Sequence, residues 1–180
     1  MSRYRRANTA GGTYFFTVVT YRRQPILCDV PIRTALRDAL LSVRLTKPFS
    51  IDAWVLLPDH LHCVWTLPPG DNDFSGRWSV IKNAVTRSVG AQYRREEWHN
   101  ASKTKHREGT IWQRRFWEHC IRDDTDLQHH IDYLHFNPVK HGLVKRVADW
   151  PHSTFHRFVA EGIYSPDWAG GMDEPEDVIE

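Results

Sequence analysis

Four short stretches of the chain have the residue types and spacing of β-strands. Residues 13–21 are β-branched and aromatic on both faces, which is typical of a strand in the middle of a sheet. Residues 51–57 and 60–67 flank a Pro-Asp turn and predict a hairpin. Residues 111–118 form the last predicted strand. The pattern therefore predicts a sheet of four strands.

Three other stretches have the spacing of helices with one apolar side. The first begins at Pro31, and its apolar residues recur on one stripe as far as Val43. The second begins at Ser75, a suitable capping residue, and runs to about Arg95. The third begins at residue 124 or 125 and is expected to end near Asn137, because a proline follows at position 138.

The order of these elements is strand, helix, strand, strand, helix, strand, helix. It is typical of an α+β, ferredoxin-like sandwich in which helices pack on one face of an antiparallel sheet. No repeat or linker divides the chain, so we expect one domain over residues 1–163. Residues 164–180 contain glycines, prolines and acids and predict a mobile tail. This tail is either a solvated end or a competitor of nucleic acid for a basic groove.

Charge is unevenly distributed along the chain. The formal net charge is only +2, but the last fourteen residues contain six acids and neither Lys nor Arg. Residues 1–166 therefore carry 24 basic against 16 acidic side chains. A basic body with 8 Trp, 6 Tyr and 8 Phe is suited to neutralising phosphates and stacking on unpaired bases.

Cysteine usage and the absence of long apolar runs bear on the compartment. Cys28, Cys63 and Cys120 are odd in number and form no close pair, which argues against a disulfide framework and a four-cysteine zinc site. No stretch resembles a signal peptide or a membrane span. We expect a cytoplasmic, nucleoid-associated protein that does not contact the membrane.

Basic residues that stand beside aromatic ones are the candidate DNA contacts. A charge run usually marks solvated surface. Here such runs flank aromatic residues repeatedly, which favours contact with nucleic acid. The candidates are Arg3, Arg5, Arg6, Arg22, Arg23, Lys103, Lys105, Arg107, Arg114 and Arg115.

Two histidines begin the third predicted strand. His60 and His62 are two residues apart and so share one face of the strand, while Leu61 and Cys63 share the other. Two imidazoles and one oxygen ligand can hold a divalent cation and leave positions open for a phosphate. The segment therefore predicts a metal site on one face of the sheet and a core on the other.

The last predicted helix offers an oxygen ligand and a nucleophile. Tyr133 and Asn137 are four residues apart and so lie on one helix face. Asn137 would complete the metal site, and the hydroxyl of Tyr133 would attack phosphorus to form a covalent phosphotyrosine. His129 and His130 are alternative third ligands, and a Tyr133 that only packs against the core is the structural alternative.

Four segments together resemble the REP-associated tyrosine transposases, which are bacterial relatives of the single-tyrosine HUH transposases. They are residues 12–20, 55–62, 112–117 and 133–144, and they include a Pro-Asp-His-hydrophobic-His block and a Tyr-x-x-x-Asn-Pro block. The resemblance implies an HUH endonuclease fold that nicks single-stranded DNA near the foot of a palindromic hairpin.

The resemblance also implies roles for individual residues. His60 and His62 would be ligands of Mg²⁺ or Mn²⁺, and Tyr133 would be the nucleophile that becomes linked to the 5′ phosphate. Asn137 would complete the metal site, at a position where the insertion-sequence relatives commonly have Gln. Those relatives share their sites within a homodimer, whereas a monomer suffices if the last helix folds back on its own sheet.

Two other functions stay open from the sequence. One is a hairpin DNA-binding protein without catalysis. The other is a metal hydrolase acting on a small molecule, in which His60 and His62 bind Zn²⁺ and Tyr133 is structural. The second alternative leaves the basic, aromatic composition unexplained.

Overall fold

A four-stranded antiparallel sheet lies at the centre of the fold, in a computed structural model that describes residues 9–106 and 109–170. Its strands are β1 (Thr13–Val19), β2 (Ser50–Leu56), β3 (His60–Thr66) and β4 (Trp117–Cys120). They lie in the order β2-β3-β1-β4, and every neighbouring pair is antiparallel. This order confirms the predicted α+β, ferredoxin-like fold.

Helices cover the sheet. They are α1 (Val30–Thr46), α2 (Phe74–Tyr93), α3 (Ala101–His106), α4 (Asp124–Lys140) and α5 (Phe155–Ala160). The first amides of a helix need acceptors, and Asp73 accepts from the Gly76 amide at 2.8 Å to begin α2. In the same way Asp123 accepts from the Asp126 amide at 2.9 Å to begin α4. Among the residues described, none of the helices is long and apolar enough to cross a membrane.

The sheet buries both of its faces. On one, which we call the α1–α2 face, Trp65 and Phe16 pack beneath α1 and α2. On the other, the α4 face, Phe15, Val64 and Leu134 pack among β1, β3, α4 and α5. The prediction of helices on one face is therefore right for α1 and α2 and wrong for α4, and α5, which the sequence did not predict, packs on the same face as α4. The reason lies in β1, whose side chains are apolar on both sides and need cover on both.

The last strand is shorter and later than predicted. β4 pairs with β1 from Thr17 opposite Trp117 to Tyr14 opposite Cys120. The chain before β4 still pairs with the end of β1, since the Tyr21 amide donates to Ile111 O at 2.8 Å and the Gln113 amide donates to Val19 O at 3.0 Å. The register shifts by two residues between these bonds and β4, so residues 114–116 interrupt the ladder ahead of the 3-10 turn (Tyr21–Arg23). Trp112 retains one isolated bridge to Thr20.

Helix α4 continues through Pro138 to Lys140, three residues past the predicted end. A proline removes one helical hydrogen bond, which costs least near a helix end. Here the last turn is held by the amide of His141, which donates to Asn137 O at 3.0 Å, and by the amide of Leu143, which donates to Pro138 O at 2.9 Å. Both Asn137 and Pro138 are buried, so packing supports the extension.

Packing continues beyond residue 163. The Tyr164 ring is buried on the α4 face, and its hydroxyl donates to Asp132. Burial and this hydrogen bond raise the pKa of Tyr164. The Trp168 ring lies 4.6 Å from the Tyr164 ring, measured between centroids. The division into a domain and a tail stays a prediction, and residues 171–180 lie outside the part described.

Candidate functional site

His60 and His62 lie side by side on the α4 face of β3. Their ring centroids are 4.9 Å apart, and the side chains are 1% and 0% exposed. Leu61 and Cys63 belong to the opposite core, beneath α1 and α2. The alternation expected from a strand therefore places both imidazoles in one buried site.

One nitrogen of each imidazole is anchored. His60 Nδ1 lies 2.7 Å from Asp59 Oδ1, and His62 Nδ1 lies 2.9 Å from Thr17 Oγ1. Such anchoring fixes ring orientation and leaves Nε2 as the nitrogen that can bind a metal. His60 Nε2 is buried and has no hydrogen-bond partner among the described residues. A buried imidazole nitrogen of this kind fits a cation, which would supply the missing contact.

Asp59 connects the site to the surface. Its Oδ2 accepts from Arg23 Nη1 at 3.1 Å, while its Oδ1 contacts His60. Burial raises the pKa of Asp59, but the hydrogen bonds with His60 and Arg23 outweigh this and lower it to about 2. The carboxylate is therefore ionised at neutral pH. The Pro-Asp pair in the sequence predicts Asp59 only as a turn residue, although its position directly before His60 is a signal for a role at the site.

Helix α4 brings Tyr133 to the histidines. The Tyr133 ring is 5.4 Å from the His62 ring and 6.2 Å from the Phe15 ring, measured between centroids. Its side chain is buried, and Asn137 lies one turn further along the helix with 0% exposure. The structure thus brings Tyr133 and the two histidines together in one chain.

The end of α4 closes over this group. Lys140 Nζ lies 3.5 Å from the Tyr133 hydroxyl oxygen. The ring of His141 lies 5.1 Å from the ring of His60. Neither Lys140 nor His141 was a predicted site residue, because both follow the proline that was expected to end the helix.

A second group of metal-ligating side chains lies at the start of α4. One ligand atom each from His119, Asp126 and His130 lies within 4.8 Å of the others. The described residues therefore include a triad with the ligand types that a metal ion takes. Phe15 separates it from the first site, since its ring is 4.9 Å from His130 and 5.3 Å from His62.

The triad is also a hydrogen-bonded network. His119 Nε2 lies 2.8 Å from Asp126 Oδ2, and Arg122 Nε donates to the same oxygen at 3.1 Å. Burial raises the pKa of Asp126, but the bonds from Arg122 and His119 hold it well below its usual range. His130, an alternative third ligand in the sequence, belongs here rather than beside His60, and His129 is half-buried.

Several predicted DNA contacts cluster around the 3-10 turn. The Arg22 guanidinium lies 5.1 Å from the Trp98 ring centroid and 5.7 Å from that of Tyr21. Lys103 Nζ lies 3.6 Å from the Tyr21 ring centroid. We call Tyr21, Arg22, Trp98 and Lys103 the basic platform. Trp98 was not predicted, because the charged residues directly before it, Glu96 and Glu97, are acids rather than Lys or Arg.

The remaining predicted contacts are dispersed. Arg114 and Arg115 are exposed before β4, and Lys105 is exposed on α3. Arg23 is exposed but ion-paired with Asp59 at 3.1 Å. Four predicted contacts lie outside the described residues, namely Arg3, Arg5, Arg6 and Arg107.

Comparison with known proteins gives close relatives along nearly the whole chain. No family model matches it. A REP-associated tyrosine transposase from Escherichia coli K12 is 49% identical over 172 residues, which are 96% of this chain and 93% of that protein. A relative of the same family name from Haemophilus influenzae is 45% identical over 174 residues, 96% of each chain.

One solved structure matches the full length. It is a REP-associated tyrosine transposase bound to a REP hairpin, with 46% identity, a TM-score of 0.79 and complete coverage of both chains. The fold and the relatives define a tyrosine transposase. Within that class, the chain belongs to the REP-associated tyrosine transposase family.

Proposed function

We propose that this protein nicks and rejoins single-stranded DNA beside REP-like palindromic hairpins, with Tyr133 as the nucleophile. The observation that carries the proposal is the approach of the Tyr133 ring to within 5.4 Å of the His62 ring on the α4 face. A tyrosine next to a metal-binding histidine pair is the arrangement that attack on a metal-polarised phosphate requires.

The metal site would consist of His60, His62 and the amide oxygen of Asn137, and the expected ion is Mg²⁺ or Mn²⁺. The buried Nε2 of His60 supports a cation at this position. When bound, the ion would act as a Lewis acid on a phosphate oxygen. Asp59 and Thr17 hold the two rings in the orientation that presents Nε2.

Tyr133 carries the covalent step. Its oxygen forms a bond to phosphorus, and the bond from phosphorus to the 3′ oxygen breaks. The phenolic proton passes to solvent, and the 3′ oxygen takes up a proton from solvent. The 5′ phosphate stays linked to Tyr133, so the energy of the phosphodiester is kept and the reverse attack by a 3′ hydroxyl rejoins the strand without ATP.

The basic platform and the exposed basic residues near it are the proposed DNA-binding surface. The homologous transposase is bound to a REP hairpin, and hairpin DNA is accordingly the proposed substrate here. Arg22 is the exposed cation of the basic platform, and its position beside the Trp98 and Tyr21 rings is a combination that binds unpaired nucleotides. Lys103 is only 5% exposed and donates to Gly109 O at 3.1 Å, so it supports the Tyr21 ring from within the protein. Arg23 links the platform to the metal site, because its partner Asp59 also contacts His60.

A monomer with its own complete site is the proposed active form. Tyr133 and both histidines converge within one chain, and Leu134 of the same helix is fully buried against the sheet. Mixing Tyr133→Phe protein with His60→Ala protein tests this assignment. The mixture should stay inactive, whereas recovered cleavage would mean that chains exchange α4 within a dimer.

The test of the whole proposal is a covalent adduct. The protein is mixed with single-stranded oligonucleotides that carry palindromes from its own genome, with Mn²⁺, and run on a denaturing gel. Wild-type protein should form a DNA-shifted band. So should a matched Tyr93→Phe control, because Tyr93 ends α2 on the opposite face of the sheet from Tyr133. Tyr133→Phe should bind DNA without forming the shifted band.

The other outcomes select between the alternatives. Tight hairpin binding without an adduct would favour a DNA-binding protein without catalysis. An adduct that persists in Tyr133→Phe would refute the choice of nucleophile. Neither adduct nor binding would favour the small-molecule hydrolase.

A further inference from the structure

Lys140 lies beside the hydroxyl oxygen of Tyr133, which is the atom that attacks phosphorus in the proposed reaction. It lies seven residues after Tyr133, and two helical turns bring it back to the same face of α4. Its Nζ is 3.5 Å from the Tyr133 oxygen and 4.9 Å from the Tyr133 ring centroid. We propose that Lys140 is a catalytic residue whose ammonium group binds the Tyr133 oxygen and the phosphate that this oxygen attacks. The inference rests on the proposed function.

Burial and exposure support this assignment. Tyr133 is 8% exposed, whereas Lys140 is exposed at the end of the helix. The positive charge therefore stands at the solvent side of a buried hydroxyl, where a DNA backbone must arrive to reach Tyr133. A lysine ammonium has three donors, so one group can bridge the tyrosine oxygen and a phosphate oxygen.

Hydrogen bonds hold the backbone around Lys140. The helix passes through Pro138, and amides of the following turn donate to the carbonyls of Asn137 and Pro138. His141, the next residue, contacts His60 at 5.1 Å between ring centroids. The same turn thus touches the nucleophile and the proposed metal site, and the backbone of Lys140 is held close to both.

A cation at this point stabilises the charge that develops in the reaction. Negative charge develops on the tyrosine oxygen as its proton leaves, and on the phosphate oxygens as the new bond forms. A preorganised positive group at the reacting oxygen lowers the energy of that state more than it lowers the energy of the neutral phenol. In rejoining, Tyr133 is the leaving group and the same charge develops in reverse, so Lys140 serves both directions.

The experiment compares three variants with wild-type protein in single-turnover adduct formation, with hairpin oligonucleotide and Mn²⁺ saturating. Lys140→Met should slow the adduct by about 100-fold, the range seen when one donor to a developing oxyanion is removed. Lys140→Arg should restore most of the rate, because it keeps the charge. Lys145→Met, which removes an exposed lysine five residues on, should react like wild type.

Rejoining and DNA affinity complete the test. Rejoining from a preformed adduct should slow in Lys140→Met in parallel with cleavage. Its DNA affinity should change no more than that of Lys145→Met, because each variant loses one exposed charge.

Two results would overturn the inference while leaving the proposed function intact. One is a Lys140→Met protein that forms the adduct at the wild-type rate under these saturating conditions, since Lys140 would then contribute at most to DNA binding. The other is a Lys140→Arg protein as slow as Lys140→Met, since the positive charge would then not be what this position supplies. A wild-type protein that forms no adduct would instead remove the proposed function, and the role of Lys140 with it.

Discussion

The two faces of the sheet come from the same strands but bury different chemistry. On the α1–α2 face, Trp65 stacks on Trp78 with ring centroids 4.2 Å apart and an angle of 15° between the planes. On the α4 face, the side chains that are buried to the same extent are His60, His62 and Asn137. Apolar contacts stabilise the first face, whereas the burial of polar groups on the second lowers the stability of the fold. The comparison indicates that one face secures the fold and the other is available for chemistry.

The largest effect on stability is expected on the α1–α2 face. Trp65→Ala should lower the free energy of unfolding by about 3–5 kcal/mol, because it leaves a cavity between two helices and the sheet. Urea denaturation measures the loss. Trp65→Phe, which fills more of the cavity, should lose clearly less. Equal losses in both variants would mean that the site can collapse and that this face is less tightly packed than the contacts indicate.

A substitution at the α4 face should lower the affinity for metal more than it lowers the stability of the fold. Asp59→Asn should weaken Mn²⁺ binding by about 10–100-fold, because the carboxylate that orients His60 is replaced by a neutral amide. Calorimetric titration without DNA gives the affinity. Arg23→Gln is the control, since it breaks the outer ion pair and keeps the bond from Asp59 to His60. A larger loss of Mn²⁺ affinity in Arg23→Gln than in Asp59→Asn would contradict the claim that Asp59 is the residue that orients His60.

The α1–α2 side also buries the charge of Arg77, and the guanidinium is fully hydrogen-bonded. Its guanidinium donates to both Asp71 carboxylate oxygens, at 3.0 and 2.6 Å, and to the carbonyls of Lys47, Pro48 and Asp73. The hydrogen bond from Arg77 lowers the pKa of Asp71 to about 2. Asp71→Asn should therefore cost about 2 kcal/mol near pH 7.

The pH dependence of that cost has a definite sign. The pKa of Asp71 is lower in the folded protein than the ordinary value near 3.9, so the unfolded chain binds more protons between these values. The contribution is complete above about pH 5 and is lost as the pH falls towards 2. The difference between wild type and Asp71→Asn should shrink over this interval. A difference that stays constant down to pH 2.5 would contradict it.

The smallest expected effect concerns Tyr14 on the α1–α2 face. Its hydroxyl donates to Thr9 O at 2.6 Å and accepts from the Thr9 amide at 2.8 Å. Tyr14→Phe should cost about 1 kcal/mol of stability and leave adduct formation unchanged. Loss of the adduct in this variant would show that the α1–α2 face also contributes to the reaction and not to stability alone.

Much of this arrangement follows from local pattern. Alternation along β3 correctly separated His60 and His62 from the core, and helical spacing correctly put Tyr133 on a face that meets them. The order of strands and helices along the chain likewise predicted the ferredoxin-like fold, because that order admits few topologies. The roles assigned to these side chains stay predictions until the adduct is tested.

The errors have a common physical cause, which is tertiary packing. Pro138 has a strong local signal for ending a helix, but burial of the last turn outweighs it, and Lys140 was missed as a result. The apolar pattern on both sides of β1 indicates burial on both faces, and this burial implies a second layer of helices that the predicted fold lacked. The network of His119, Asp126 and His130 joins β4 to α4, and spacing along the chain gives no sign of such a contact.

The register between β1 and β3 restricts how this protein can change over evolution. His62 stands opposite Thr17, and Leu61 stands opposite Val18. Because side chains alternate with a period of two, inserting or deleting one residue within β3 would send the imidazoles into the apolar core and the core residues into the site. Only changes of even length keep the two faces apart. Lineages of this protein should therefore vary freely in the loops and change the length of this strand, where it changes, by an even number of residues.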